Sequence, residues 1–194
     1  MTGPARRIQH PGPAAAQRCQ VIEARAAACH LVLQPGLSLL AALTDAVLPS
    51  GATSAVLTLT GGSLFPFTHV MPALSTSAER AVYFSGRFEA DAPVRLEFAT
   101  VTYGRQGDEH GSQPWLHCHA VWTDARGQRH CGHLLPDEAM LAAPVLASAW
   151  LLDGAVFLVG ADDETRFSLF KPVAVPSVWM SLLLSQTLNV VVKP

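Results

Sequence analysis

Trp115-Leu116-His117-Cys118-His119, a polar turn, and then His130-Cys131-Gly132-His133 put four imidazoles and two thiols into one short stretch of chain. The turn, Thr123-Asp124-Ala125-Arg126-Gly127-Gln128, lies between two runs of alternating apolar residues and reads as a β-hairpin closed by Gly127. Alternate residues of a strand share a face, so His117 and His119 point to one side. Closing the hairpin at residues 124 to 127 brings His133 opposite that pair, or one step diagonal to it. Three imidazoles converging on one point are the donor set of a three-histidine metal site.

Zinc takes imidazole nitrogen as a ligand, and an exchangeable or catalytic site keeps one position open beside three protein ligands. Three neutral ligands leave the ion close to its full double charge, so it lowers the pKa of a bound water to about 7 or polarises a ligand oxygen. Ferrous iron and nickel also accept imidazole. The competing reading is of ordinary strand histidines, partly exposed and hydrogen-bonded. His130 is out of phase with His133 and faces the other way. His110 falls in the polar loop Gly104 to Gln113. Cys131 shares the His133 face, as an additional ligand or as a small side chain of the sheet, whereas Cys118 faces away from the histidines.

The elements around the hairpin point to an α+β domain with one main helix and a mostly antiparallel sheet. Cys29 to Leu33 reads as a strand closed by Gln34-Pro35-Gly36. Leu37, Leu40, Leu43 and Val47 then recur at helical spacing until Pro49-Ser50-Gly51. Further strands are expected at 55–60, at 64–71 (an edge or a bulge because of Pro66), at 81–88 and at 94–103. Val145 to Leu152 and Ala155 to Gly160 flank Asp153-Gly154 as a second hairpin, and Arg166 to Lys171 adds a last strand. Asp137 and Glu138 cap a short turn of helix. Residues 1–28 form a partly disordered leader rich in Pro and Ala, 29–172 the domain, and 173–194 an apolar extension that packs on the domain or a neighbour.

Composition narrows the function classes. The chain has 194 residues, enough for one real core, with 49% hydrophobic and only 14% charged residues. So thinly charged a surface fits an oligomer whose apolar faces are covered by sister subunits. The net charge of -2 carries no basic footprint for nucleic acid. Four cysteines without a C-x-x-C pair are too few for a disulfide scaffold and suggest a reducing cytoplasm. No stretch is long and apolar enough to span a bilayer or to serve as a secretory signal. Trp115, Trp122, Trp150 and Trp179 are spread as core or interface anchors rather than as a stacking platform. No nucleophile elbow, phosphate loop or His-Glu-x-x-His helix occurs.

The order of segments carries a resemblance. Leu33-Gln34-Pro35-Gly36 precedes a Leu-rich helix; Ser54 to Gly62 and Gly86-Arg87-Phe88-Glu89 follow; then come Leu116-His117-Cys118-His119 and Gly132-His133-Leu134-Leu135-Pro136. Over about residues 29 to 171 this is similar to the plants and prokaryotes conserved (PPC) domain, the module that follows AT-hooks in plants. The resemblance implies a compact α+β fold assembling as a homotrimer, with a metal ion on His117, His119 and His133 near a subunit boundary. It also places Arg87 and Glu89 as candidate site-lining residues. Two departures stand out: the family has glycine at the position of Cys131, and residues 90–98 intervene after Gly86-Arg87-Phe88-Glu89, so Arg87 and Arg95 compete for the place of the family arginine.

Three functions follow as expectations. One is a homotrimeric module with a zinc-type centre that binds a small ligand or performs simple metal-assisted chemistry, with Glu89, Glu97 or Glu138 as base in a hydrolytic version. The alternative is a DNA-associated regulatory or interaction protein without an AT-hook of its own, for which direct DNA contact is disfavoured by the acidic balance. A purely structural oligomer is the third.

Overall fold

The computed structural model describes residues 9–17, 19–107 and 112–177. His110 and the stretch from 178 onward lie outside the described residues. In chain order the elements are β1 (Arg25–Leu33), α1 (Leu39–Val47), β2 (Ser54–Thr60), β3 (Ser63–Leu64), β4 (Thr68–Val70), β5 (Pro72–Leu74), β6 (Val82–Phe84) and β7 (Phe88–Glu89). Then follow β8 (Val94–Gln106), β9 (Gln113–Thr123), β10 (Arg129–Leu134), β11 (Leu141–Ala143), β12 (Val145–Asp153), β13 (Ala155–Ala161) and β14 (Ser168–Ala174). Twelve strands form one sheet whose main path runs β1-β12-β2-β8-β9-β10-β4-β7, while β5 and β6 pair separately. Every pairing along that path is antiparallel. Among the described residues the fold is α+β with one short α-helix, as the periodicity predicts.

Period-two burial shows how the sheet is used. In β2 the residues Ala55, Leu57 and Leu59 are buried while Val56, Thr58 and Thr60 are exposed. β12 and β9 alternate in the same way. The inner face packs with α1 into one core that includes Leu57, Leu59, Val101, Tyr103, Leu116, Cys118 and Ala147. The helix begins at Ser38, whose hydroxyl accepts from the Ala41 amide at 3.2 Å. It buries Leu39, Ala42, Leu43 and Val47. The buried stripe is therefore shifted from the expected one: Leu37 precedes the helix and is exposed.

Other expectations change too. The stretch 81–88 divides into β6 and β7, which belong to different sheets. Strand β1 starts at Arg25, ahead of Cys29, because β12 is long enough to pair with all nine residues, from Arg25↔Asp153 to Leu33↔Val145. The stretch 64–71 divides around a cis Phe65–Pro66 bond into β3 and β4. Most instructive, β12 and β13 do not form a hairpin although Gly154 turns the chain with φ +84°. Both edges of β12 are already paired, by β1 and β2. The chain after Gly154 instead places β13 parallel to the end of β8 and antiparallel to β14. Ahead of β1, the Gly12 amide donates to the Glu164 carbonyl at 3.1 Å and the Ala15 amide to the Glu164 carboxylate at 3.0 Å, so part of the leader lies against the β13–β14 turn.

Candidate metal centre

The β9–β10 hairpin positions the site. Its turn is built by Asp124, whose carboxylate accepts from the Arg126 amide at 2.9 Å and the Gln128 amide at 2.8 Å. The Gly127 amide donates to the Asp124 carbonyl at 3.0 Å, and Gly127 takes φ +79°, a left-handed conformation that glycine reaches without strain. This turn fixes the register at Arg129↔Thr123 and carries it through to His133↔His119. Register decides everything here, since a slip of one residue would send His133 to the opposite face.

With that register the three rings converge. The centroids of His117 and His119 are 4.7 Å apart, those of His117 and His133 4.8 Å, and those of His119 and His133 5.2 Å. One ligand atom from each lies within 4.8 Å of the others. Among the described residues no Cys, Asp or Glu joins this group, so the donors are three imidazoles. Cys131 is exposed and stands opposite Val121, one ladder step pair from His119, so it shares the face without entering the group. Cys118 points into the core, and burial pushes its thiol up to about 12.

The electrostatics favour the neutral, ligating form. Burial, then the neighbouring His117 and His119 charges, lower the His133 pKa to about 4. His117 is lowered by burial and then by His119. His133 Nδ1 is buried and has no hydrogen-bond partner. A buried imidazole nitrogen without a partner is costly in isolation, and a metal–nitrogen bond or a bridging group satisfies it. The residues fit a divalent ion of the borderline class: all-nitrogen donors at one exposed spot of the sheet.

The other singled-out residues sit elsewhere. Arg87 forms an ion pair with Glu138, whose carboxylate accepts from its guanidinium. Glu89 lies in β7 opposite Thr68 and Phe88 opposite His69, at the far end of the main strand path. Arg95 binds Glu97 at 3.0 Å, and Arg129 binds it at 2.8 Å. The Thr123 hydroxyl donates to the same carboxylate at 2.5 Å and, with the two arginines, holds it below the usual carboxylate range. His130 faces away from the centre, as its phase predicts: it stacks on Trp122 at 6.1 Å and meets Asp124 at 2.8 Å.

Two side chains near the site carry no sequence signal. His69 lies behind it, on the core side, in contact with Phe67, Phe88 and Trp122 at centroid distances of 5.6, 5.3 and 4.7 Å. Burial lowers its pKa. Phe84, from the separate β5–β6 pair, reaches His133 at 4.9 Å. No periodicity announces a contact between strands of different sheets.

No family model and no curated protein matches this sequence. Solved structures do. A plant- and prokaryote-conserved (PPC) protein from Pyrococcus horikoshii superposes with a TM-score of 0.61 over 81% of this chain and 100% of its own, at 12% identity. A metal-containing protein from Archaeoglobus fulgidus gives 0.61 over 79% of this chain and 99% of its own, at 16% identity. A candidate DNA-binding protein from Ralstonia eutropha gives 0.53 over 73% and 89%, also at 16% identity. In fold, this chain is a PPC-like protein.

Proposed function

We propose that this chain is a homotrimer-forming PPC-like module in which His117, His119 and His133 hold a divalent metal, zinc, with an open position for a small ligand or simple metal-assisted chemistry. The observation that carries this reading is the convergence of three ligand atoms within 4.8 Å on an exposed sheet face. The name of the Archaeoglobus neighbour, a metal-containing protein, supports it. When bound, such an ion supplies a Lewis acid and brings a coordinated water to a pKa of about 7. The chain's own part is to orient the three imidazoles and, by burial, to favour the neutral form of His117 and His133. Glu97 and Glu138 are engaged by arginines, which disfavours either as a general base.

The outer sheet face supports the trimer. Two exposed apolar ladder pairs lie there, Val32↔Leu146 and Trp150↔Val56, on either side of the polar row His30, Ser148 and Thr58. Exposed apolar pairs of this kind suit a subunit contact. Cys19, Cys29, Cys118 and Cys131 are free thiols, in keeping with a reducing cytoplasmic setting. No helix among the described residues is long and apolar enough to cross a membrane.

Zinc titrated into metal-free protein by calorimetry tests the reading: saturable binding of one ion per chain is expected, and none in His117→Ala/His119→Ala. The Ralstonia neighbour's name favours a second reading, a DNA-associated protein. The net charge of -2 opposes direct contact. A gel shift with random duplex at low salt separates the two, and the metal reading expects no shift.

A further inference from the structure

Three observations about the surroundings of the trio point to a class of ligand. First, no carboxylate or thiolate joins the three imidazoles among the described residues, so a bound dication keeps its charge and needs an anion. Secondly, Phe84 packs against His133 at 4.9 Å, tilted 39°, yet remains 48% exposed. Its position is buttressed: Phe167 meets it edge-on at 6.2 Å, and the Arg80 guanidinium lies over Phe167 at 4.9 Å. Thirdly, Trp115 precedes His117 by two residues on the same side of β9 and is 41% exposed. The charged spot is therefore flanked by large exposed rings along the strand and across it. The ladder neighbours of His117 and His119 on β8, Thr102 and Thr100, are uncharged.

Resting on the metal reading above, we infer that the centre takes a small aromatic carboxylate, with the carboxylate on the metal and the ring against Phe84, Trp115 completing the apolar border. A carboxylate supplies the missing negative charge. A ring laid on a pre-positioned exposed phenyl removes apolar surface from water on both partners and gains the aromatic pair interaction. An aliphatic acid gains only the first contact. Phe84 is thus a specificity-determining residue, outside the metal's own ligand set.

The experiment compares benzoate with acetate on zinc-loaded protein, by calorimetry. Benzoate is expected to bind about tenfold more tightly than acetate, a difference of the size of one stacked, partly buried ring. In Phe84→Ala that preference is expected to fall to within about threefold while zinc and acetate affinities stay unchanged. Trp115→Ala, on a different strand, serves as the second variant should Phe84→Ala not fold, with the same partial loss expected. Equal affinities for benzoate and acetate in the wild type, with zinc bound, overturn the inference and leave the metal reading intact. A preference for benzoate that survives both substitutions also overturns it. Failure of the wild type to take up zinc overturns the metal reading itself.

Discussion

His133 stands opposite His119 as its ladder partner across the β9–β10 hairpin, with the ring centroids 5.2 Å apart. His117, two residues back on β9, closes the triangle from the same face. A pair fixed by strand register and a third member fixed by strand periodicity need no loop to bring them together. The site is as rigid as the hairpin that carries it.

His119 is exposed, so its ring contributes little to packing. In metal-free protein His119→Ala is expected to change stability by no more than about 0.5 kcal/mol. Zinc at about 100 times its Kd raises wild-type stability by about 2.7 kcal/mol through mass action, and the variant is expected to lose that rise. Thermal melts of both proteins, with and without zinc, measure the two effects.

Proton competition gives a pH dependence. His133 has its folded pKa lowered to about 4 and His117 is lowered as well, both first by burial. For such a group the unfolded chain binds the proton more readily, so the stabilising difference is fully present above the ordinary histidine pKa of about 6.5. It is lost as pH falls from there toward about 4. Metal-free protein is expected to be less stable toward urea at pH 5 than at pH 7.5, and His133→Gln to flatten that slope. An unchanged slope in the variant would assign the pH dependence to other groups.

Asp124 organises the hairpin from outside the centre. Its carboxylate accepts from two backbone amides and meets His130 at 2.8 Å. Asp124→Ala is expected to cost about 1–2 kcal/mol, the range for losing side-chain hydrogen bonds of this kind. It is also expected to weaken zinc binding although it touches no ligand, since the register of His133 depends on this turn. Calorimetric zinc affinity and a urea melt of the same sample report both.

Gly104 marks where β13 crosses close to β8. A Cβ there would lie 2.3 Å from the Phe157 carbonyl oxygen and 2.6 Å from the Phe170 ring. Backbone cannot yield as a flexible side chain does, so Gly104→Ala is expected to destabilise by about 1–3 kcal/mol. Zinc affinity is expected to survive, because the displaced strand lies on the opposite edge of β8 from β9. Equal losses of stability and zinc affinity would contradict that separation.

Much of this was legible from residues alone, for a physical reason. The histidine hairpin rests on local rules: turn chemistry at Asp124 to Gly127 and a period of two. Those rules also put Cys118 in the core and His130 on the other face, as found. Errors came where pairing is non-local. Asp153-Gly154 has the composition of a hairpin turn, but β1 and β2 compete for the edges of β12 and win. Phe84 at His133 and His69 behind the hairpin depend on long-range packing that no pattern within β6 or β4 encodes.

His117, His119 and His133 are proposed to hold a metal ion in the protein as it is made. Elemental analysis of protein purified without chelator or added metal addresses it most directly, with His117→Ala/His119→Ala prepared in parallel. About one divalent ion per chain in the wild type, zinc foremost, and close to none in the variant is the predicted result. A wild-type content near zero, or an equal content in the variant, would contradict it.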